Sequence, residues 1–539
     1  MACEAGGAPT PQAKPLVDAP SYDTNDPVKR ACGLEKEWLV RIWRGYHGSR
    51  SENITMVHAK PNFPGGIEQP SHSGPWDYLQ KVPLVLYGPK RINAAGAPLT
   101  RPAGLVDVFP TAGELLDVDL PDRTGTVLGD ALKEGAPQGP PKLMVSIVWD
   151  GAGRNVLERW PDRWPNLARL EREGTSYLNA SIGSSPSITP ATHSTLGTGA
   201  YPRAHGATAI RYRKADGTVG EAFWAGNPSF LKMTTFADIT DQAYGNQSRV
   251  GIVAWKSWHL GMLGHGTLTP GGDADHAAII GKSEGDIGAN QSFYLTPPYL
   301  PGLTGLAEHA ESLDRSDGEA DGEWLGHDPL EQHDNPAWVE YETDVLLKLL
   351  DEEGYGQDAV PDLLFTNYKM TDIVGHEYTM DSPEMAEVLE AQDDALGAIV
   401  DYLDREVGDY VLLVTADHGH VPSAGRSGGW AVGNGRVIED IDEHFEVPDG
   451  QSLVIDSGST GLYFDFELME EMSVTVPDVA EYLNGYTIRD NFGGGGPLPE
   501  GYEGRGDDPV FAATFARKQM PEIMECAFGS TRPPRGTDA

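Results

Sequence analysis

Three apolar stretches of this 539-residue chain end near side chains that can bind metal ions. Asp150 follows LMVSIVW, Asp417 and His418 follow YVLLVTA, and TDIVGH places Asp372 and His376 shortly after DLLFTNY. One acid at a strand end is commonplace, but three such ends, two with a histidine, predict a shared site. Carboxylate and imidazole together suit zinc or another borderline divalent ion. Two such ions about 4 Å apart can clamp the attacking and leaving oxygens of a phosphoryl transfer.

A nucleophile for this chemistry stands in SITPATH, where Thr189 precedes Pro190. Proline favours the first turn of a helix, so Thr189 is predicted to be the N-cap, beside unpaired amide donors and the positive end of the helix dipole. A threonine hydroxyl alone is a poor nucleophile, and a directly bound metal ion can activate it. Without the neighbouring acids, the same residue would be an ordinary N-cap.

The elements around these residues predict an α/β fold. The three apolar stretches have the composition of central parallel strands, which are covered on both faces. Helices are predicted at 165–174 and at 383–408, each closed by a glycine. Strands that alternate with helices favour a parallel sheet, and functional groups gather at the carboxyl ends of its strands.

Other ranges are predicted to surround this core. Residues 215–335, glycine-rich and then acidic, and the loop-like residues 421–450 are expected to form a cap and a lid. Residues 1–30 are expected to be disordered because they are rich in Ala, Pro, Gly and Asp. LVRIWRGYHGSRSENITMVHAKP predicts two short strands around a turn, followed by a buried strand at 82–89 and a helix at 104–116.

The amino-acid composition disfavours some classes of binding partner. The chain has 81 acidic and 40 basic residues, a formal net charge of −41, which disfavours duplex nucleic acid and anionic membranes. No apolar run is long enough to predict a membrane span.

No secretory signal is visible, which favours the cytoplasm, whereas a removed signal would mean a periplasmic or secreted protein. Cys3, Cys32 and Cys526 are too few for a disulfide scaffold. The oligomeric state is left open.

Together, WDGAG, SITPATHSTLGTGAYPRAHG, TDIVGHEY and TADHG resemble, in this order, the motifs of the alkaline phosphatase superfamily. The branch they resemble has a threonine nucleophile and includes nucleotide pyrophosphatase/phosphodiesterases and threonine-type zinc alkaline phosphatases. The resemblance covers most of the chain outside residues 1–30 and the insertions. It implies a mostly parallel central sheet with helices on both faces and inserted cap and lid segments.

The resemblance also implies two metal sites, occupied by zinc. The residues of the first site are Asp150, Thr189, Asp417 and His418. The second site would hold Asp372, His376 and one more histidine, which the family carries well after the DHG motif. This chain has no histidine after His444, so that ligand must come from elsewhere.

His72 is the predicted ligand because three consecutive segments resemble the end of the family's chain. SRSENITMVHAKP resembles a hairpin, SHSGPWDYLQKVPLVLYGP the histidine segment with its strand, and RPAGLVDVFPTAGELL the helix that follows. His420 in DHGH and His47 in GYHGSR are the alternatives. We therefore predict a circularly permuted chain that carries the family's C-terminal segment at residues 35–128. The competing interpretation is a separate N-terminal domain with its own core.

The permutation predicts one domain over residues 31–539. Its parts are the permuted segment 35–128, core at 143–214 and 336–420, the cap 215–335, the lid 421–450, and core strands and a helix at 451–526. The segments around Cys32 and Cys526 should then be neighbours, as chain ends often are in single domains. The two sulfurs could pair if their Cα atoms come within about 7 Å, although free thiols are expected in a cytoplasmic protein.

Substrate contacts are predicted from positions where this chain matches the family motifs and from positions where it departs from them. Lys256 in AWKSW stands where the threonine-type monoesterases carry a phosphate-binding lysine, but Trp258 replaces their arginine. Thr192 replaces an asparagine of the diesterases. Arg211 or Arg213 could clamp phosphate bidentately, or both could balance an acidic surface.

The resemblance implies a two-metal phosphoester hydrolase that acts on a small phosphate ester. Thr189 would attack phosphorus and form a phospho-threonine intermediate, which water then releases. A nucleotide pyrophosphatase and a phosphonate hydrolase are the alternatives among enzymes. A binding protein on an inactive phosphatase scaffold is the alternative of another class, which the retained nucleophile and ligands disfavour.

Overall fold

The structure is a computed structural model that describes residues 23–120, 123–281, 285–315, 318, 320–330 and 333–533. The strands of these ranges are β1 (Ile54–His58), β2 (Phe63–Pro64), β3 (Leu84–Tyr87), β4 (Leu99–Gly104), β5 (Leu143–Trp149), β6 (Thr175–Ser181), β7 (Arg211–Arg213), β8 (Val219–Glu221), β9 (Val250–Ala254), β10 (Asp275–Ile280), β11 (Ile287–Gly288), β12 (Tyr294–Leu295), β13 (Asp362–Tyr368), β14 (Tyr410–Thr415), β15 (Ala431–Val432), β16 (Val454–Gly458), β17 (Gly461–Phe464) and β18 (Phe511–Ala516).

The helices of the same ranges are α1 (Pro27–Cys32), α2 (Lys36–Gly45), α3 (Asp77–Gln80), α4 (Val108–Leu116), α5 (Arg154–Arg159), α6 (Pro165–Glu173), α7 (Thr189–Thr198), α8 (Pro202–His205), α9 (Phe236–Ala243), α10 (His259–Leu263), α11 (Leu306–Leu313), α12 (Pro336–Glu352), α13 (Met370–Glu377), α14 (Pro383–Tyr402), α15 (Ala424–Ser427), α16 (Asn434–His444), α17 (Phe466–Met472), α18 (Val476–Asn484), α19 (Ile488–Phe492) and α20 (Met520–Phe528). Among the described residues, none of these helices combines the length and the apolar character needed to cross a membrane.

A mostly parallel sheet forms the centre of the fold. Its strands run in the order β11-β10-β9-β13-β5-β14-β3-β6-β4, and β12 pairs with β10. The central strands β5, β13 and β14 are buried along their whole length, as their apolar composition predicts, and β5 pairs in parallel with both of the others. The predicted α/β fold is confirmed, and the carboxyl ends of these three strands meet at one edge.

The N-terminal segments share the core of the chain that follows them. Strand β3 lies between β14 and β6 and runs antiparallel to both. Strand β1 pairs antiparallel with β18 and β17, in a four-stranded sheet that also contains β16. Trp38 and Leu39 pack in one hydrophobic cluster with Phe515 and Ile523. Residues 35–120 therefore do not have a core of their own, and the interpretation as a separate N-terminal domain is wrong.

Several local predictions differ from the structure. The run LVRIW lies in helix α2 instead of a strand, because Trp38, Leu39 and Ile42 form one buried helical face. Helix α1 begins at Pro27, so residues 27–30 are not disordered, and residues 1–22 lie outside the described residues. Strands β9 and β10 come from the range predicted as a cap, yet they extend the central sheet beside β13. The predicted lid contains helix α16.

A disulfide joins the two ends of the domain. Cys32, the last residue of α1, is bonded to Cys526 in α20, and their Cα atoms lie 5.9 Å apart. The expectation of free thiols is therefore wrong for this pair. The contact satisfies the geometric requirement of the permutation, since the two segments that the family order would join are neighbours.

The permutation relative to the family stays a prediction that chain reordering can test. We expect a chain that runs from residue 143 to residue 529, continues through about ten Gly and Ser residues to residue 26, and ends at residue 128 to fold. Such a linker reaches about 17 Å, which suits ends already held together by the disulfide. Circular dichroism and thermal unfolding of this chain, compared with the natural order, measure the outcome. An unfolded reordered chain beside a folded isolated fragment 26–128 would refute the permutation.

Candidate active site

The candidate site lies where the central strands end. Asp150 directly follows β5, and Asp417 comes two residues after β14. Helix α13 starts two residues after β13 and places Asp372 and His376 one turn apart on the same face. All the acids predicted to bind metal are buried. The fold thus gathers three carboxylates at one sheet edge, as the predicted parallel topology requires.

The carboxylate oxygen Oδ1 of Asp372 faces the Nε2 atoms of four histidines. The distances are 3.1 Å to His72, 3.4 Å to His376, 3.6 Å to His420 and 3.8 Å to His418. This oxygen is buried and has no hydrogen-bond partner among the described residues. Burial lowers the pKa of His72 and His420 to about 4, so these rings are neutral near pH 7 and offer lone pairs.

Backbone carbonyls determine which ring nitrogen faces the acid. His72 Nδ1 lies 2.9 Å from the carbonyl oxygen of Ser187, and His376 Nδ1 lies 2.8 Å from that of Pro70. A carbonyl only accepts, so Nδ1 donates its proton in each ring. The neutral ring of His72 therefore has its lone pair on Nε2, and this lone pair and the carboxylate of Asp372 need a positive charge between them. Burial lowers the pKa of His376, but Asp372 more than offsets burial, so the pKa of His376 is raised.

A second group of ligands adjoins the first. His418 Nε2 lies 3.5 Å from Asp150 Oδ1 and 3.2 Å from Asp417 Oδ2. Asp150 Oδ1 and His418 Nε2 are buried, and neither has a hydrogen-bond partner in the part of the chain that the structure describes. The rings of His418 and His72 stack with centroids 3.6 Å apart, which joins the two groups into one centre.

Thr189 lies at the start of helix α7, beside this centre. It is the first helical residue, and Ile188 takes the N-cap position that the sequence predicted for Thr189. The Thr189 side chain is buried but borders a cavity of about 620 Å³. Its Oγ1 accepts a hydrogen bond of 3.1 Å from Lys369 Nζ. The predicted nucleophile thus borders the cavity and contacts Lys369, the lysine that pairs with Asp150 and Asp372.

Lys369 places a positive charge inside the centre. Its Nζ lies 2.8 Å from Asp150 Oδ2 and 2.6 Å from Asp372 Oδ2. Burial lowers the pKa of this ammonium, but the two carboxylates more than offset burial, and the pKa lies above its usual value. Burial likewise raises the pKa of Asp150 and of Asp372, yet Lys369 holds both well below the usual range.

The residues present fit divalent cations. Lys369 supplies one positive charge against the three ionised carboxylates of Asp150, Asp372 and Asp417. The remaining negative charge is accompanied by the neutral imidazoles of His72 and His420, whose Nε2 atoms lie 3.1 and 3.6 Å from the unpartnered Oδ1 of Asp372. Carboxylate oxygen and imidazole nitrogen are donors that bind zinc in proteins. Several groups of three such residues have ligand atoms within 4.8 Å of one another.

Two predicted substrate contacts border the cavity. Lys256 lines it, with Nζ 4.9 Å from the centre of the Trp258 ring. Arg211 also lines it and pairs with Asp456, at 2.8 Å between Nη2 and Oδ2. The ion pair with Asp456 and the place at the cavity are compatible with both interpretations of Arg211, so its contact with phosphate stays a prediction.

Three other candidates are not among the described residues that line the cavity. Thr192 is fully buried, and its Oγ1 donates to the carbonyl of Ile188 at 3.0 Å and to Asp417 Oδ2 at 3.3 Å, so it contacts a carboxylate of the centre. Arg213 donates to the Asn53 side chain at 2.9 Å. His47 contacts Lys232 at 3.2 Å and is not among the histidines that face Asp372 in the described structure.

The sequence interpretation missed Lys369 and Asn367. Lys369 stands three residues before Asp372, and this one-turn spacing was a signal for their ion pair. Asn367 lies in β13, and its amide nitrogen is 3.1 Å from Asp150 Oδ2 and 2.8 Å from His193 Nε2. Nothing in the local sequence indicates either contact with Asp150, because that residue is more than 200 positions away.

Comparisons with known proteins agree with this geometry. The family model described as "Type I phosphodiesterase / nucleotide pyrophosphatase" matches residues 144–444, more than half of the chain. Alkaline phosphatase PhoD of Zymomonas mobilis is 26% identical over 320 residues, 52% of this chain and 54% of its own length. Alkaline phosphatase PhoV of Synechococcus elongatus is 26% identical over 343 residues, 52% of this chain and 60% of its own. The chain thus spans little more than half of these relatives.

A solved structure shows the same fold. The crystal structure of wild-type alkaline phosphatase PafA is similar with a TM-score of 0.51 and 18% identity, over 71% of this chain and 85% of that one. The resemblance read from the motifs is therefore confirmed at the level of the fold and of the family. This chain belongs to the type I phosphodiesterase / nucleotide pyrophosphatase family of the alkaline phosphatase superfamily.

Proposed function

We propose that this chain hydrolyses small phosphate esters, with Thr189 as nucleophile and two zinc ions at the centre of acids and histidines. The observation that carries the proposal is the position of Thr189 Oγ1, which borders the cavity and lies 3.1 Å from Lys369. Asp372, His376 and His72 would hold one ion. Asp150, Asp417, His418 and Thr189 would hold the other. When bound, the ions supply the positive charge that stabilises a transferring phosphoryl group.

The residues of this chain contribute binding and orientation. Lys369 donates to Thr189 Oγ1, so it fixes the hydroxyl oxygen and favours the charge that develops when the hydroxyl loses its proton. Thr189 Oγ1 forms a bond to phosphorus while the bond to the ester oxygen breaks and that oxygen gains a proton. Water then attacks the phospho-threonine, releases phosphate and restores the hydroxyl. Thr189 and Lys256 line the cavity, where the Thr189 amide and the Lys256 ammonium can bind phosphate oxygens. Pro190 has no N–H, and the amides of Ala191 and Thr192 donate to the carbonyl of Ile188.

Relatives named alkaline phosphatases support a monoester substrate, and the family description keeps a nucleotide pyrophosphatase as the second candidate. A comparison of p-nitrophenyl phosphate with bis-p-nitrophenyl phosphate tests the proposal. We expect turnover that requires about two zinc ions per chain and disappears in EDTA. Far fewer than two ions, with no turnover of either ester, would instead favour a binding protein on a phosphatase scaffold.

Lys256→Ala discriminates between the two ester classes. Loss of the ammonium is expected to lower the monoester rate at least about tenfold more than the diester rate, because a monoester carries one more negative charge. Lys133→Ala is the matched control, since Lys133 is exposed and donates to the carbonyl of Pro89 instead. Equal loss on both esters would mean that Lys256 acts structurally and does not bind the phosphate group.

The disulfide is evidence about the cellular compartment of the protein. A bond between Cys32 and Cys526 persists in oxidising surroundings and is rare in the cytosol. We therefore favour the second of the two compartments that the sequence left open, periplasmic or secreted. A free-thiol assay on the protein isolated under alkylating conditions tests this, since two reactive thiols at these positions would contradict it.

A further inference from the structure

We propose that His420 is a direct ligand of the ion at Asp372, in addition to His72 and His376. The inference rests on the proposed two-ion centre and goes beyond the ligand set that the family resemblance implies. That set needs only one acid and two histidines at this position. His420 Nε2 lies 3.6 Å from Asp372 Oδ1, close to the 3.4 Å of His376 Nε2. The same acid and both imidazoles form a group able to hold a metal ion.

The surroundings of His420 leave its ring nitrogens without another role. The side chain is fully buried, and among the described residues neither Nδ1 nor Nε2 has a hydrogen-bond partner. A buried polar atom left unpaired costs about 1–3 kcal/mol. The ring is nearly perpendicular to those of His72 and His376, with both pairs of centroids 5.3 Å apart. The ligand atoms of Asp372, His376 and His420 lie within 4.8 Å of one another, as those around a single ion do, and His72 Nε2 lies 3.1 Å from the same carboxylate oxygen.

Two glycines make the space that the ring of His420 occupies. A Cβ atom on Gly375 would lie 2.4 Å from His420 Nε2, and one on Gly151 would lie 2.9 Å from its ring. Gly375 is inside helix α13, where glycine costs up to about 1 kcal/mol relative to alanine. Each glycine directly adjoins a predicted metal ligand, Asp150 or His376. The backbone around the centre is therefore shaped to admit a further imidazole.

The added ligand makes the two ion sites unequal. With His420 the site would have four protein ligands, one carboxylate oxygen and three imidazole nitrogens, against the three that a catalytic zinc site usually has. The neighbouring group of Asp150, Asp417 and His418 has three such ligands and depends on Thr189 for a fourth. The site at Asp372 should therefore bind zinc first and release it last.

Metal titration of the apoprotein tests the proposal without reference to activity. Zinc binding is measured by calorimetry with Zn²⁺ alone for the wild type, His420→Gln and His420→Gly. We expect the variants to bind at one of the two sites at least about 100-fold more weakly, since loss of an outer partner alone costs 10–100-fold. Added imidazole should restore part of the affinity of His420→Gly. The matched control is His58→Gln, because His58 is equally buried, packs against Phe511 and forms no ion pair with a carboxylate among the described residues.

The outcomes separate this inference from the proposed function. Two unchanged zinc affinities in both His420 variants would overturn the role of His420 and leave the two-ion centre intact. Fewer than two sites in the wild type would overturn the proposed function itself. If the variants do not fold, X-ray absorption of wild-type protein loaded with one Zn²⁺ decides. Three imidazoles on that ion support the proposal, and two contradict it.

Discussion

Thr189→Ala is expected to lower kcat for p-nitrophenyl phosphate by at least about 10³-fold, because the nucleophile of a covalent mechanism has no substitute. The fold should survive, since the Thr189 hydroxyl makes its hydrogen bond with Lys369 at the edge of a cavity. The remaining rate would come from the positive charges around the phosphate. Steady-state kinetics with saturating zinc measure the effect, and circular dichroism checks the fold.

Two further variants make this result specific. Thr189→Ser keeps a hydroxyl and should therefore retain most of the activity that Thr189→Ala loses. Thr198→Ala removes an equally buried hydroxyl from the same helix, one that donates to the carbonyl of Ser194, and should leave turnover near the wild-type value. A Thr189→Ala enzyme with more than about a hundredth of the wild-type rate would contradict covalent catalysis by this residue.

Lys369→Met is expected to destabilise the metal-free protein by about 3–5 kcal/mol, the usual effect of removing one partner from a buried ion pair. The substitution leaves Asp150 and Asp372 facing each other without the ammonium that lies 2.8 and 2.6 Å from them. Zinc should reduce the deficit, because bound cations replace the lost charge. Denaturant unfolding in EDTA and in excess zinc measures both free energies.

Lys348→Met is the control for this experiment. Lys348 is an exposed lysine on α12 that pairs with Glu352, and loss of such a surface pair changes stability by about 1 kcal/mol or less. If Lys369→Met were as stable as the wild type in EDTA, the ammonium would not be what compensates the buried acids. A deficit that zinc does not reduce would show that Lys369 acts in packing instead.

The predictable part of this fold is the part with long, uniform patterns. Strands β5, β13 and β14 were predicted because an apolar run of that length suits a strand covered on both faces. Helix α14 was predicted from its apolar periodicity and its proline start. The run LVRIW was too short to show whether its apolar residues repeat with the period of a helix or of a strand. Its helical face becomes evident only where it packs on α20.

The site was predictable where chemistry is local in sequence. Asp372 and His376 stand one helical turn apart, and Asp417 and His418 are adjacent. The charge that balances them was not predictable in the same way, because Lys369 pairs with Asp150 across two strands. Strands β9 and β10 were missed for a similar reason: their glycine-rich surroundings resemble an insertion, and only the pairing of β9 with β13 and of β10 with β9 places them in the sheet.

The Cys32–Cys526 bond turns most of this chain into a covalent ring, because 494 positions separate the two cysteines. In the chain-entropy treatment, closing a loop of that length disfavours the unfolded state by about 6 kcal/mol. A protease that cuts once at an exposed turn, such as the one at Gly271, would leave a single molecule until the bond is reduced. A ring also has no first residue. The order of its segments is cyclic. Moving the break in the backbone from one turn to another therefore changes where the chain begins and ends, but it leaves each segment beside the same neighbouring segments.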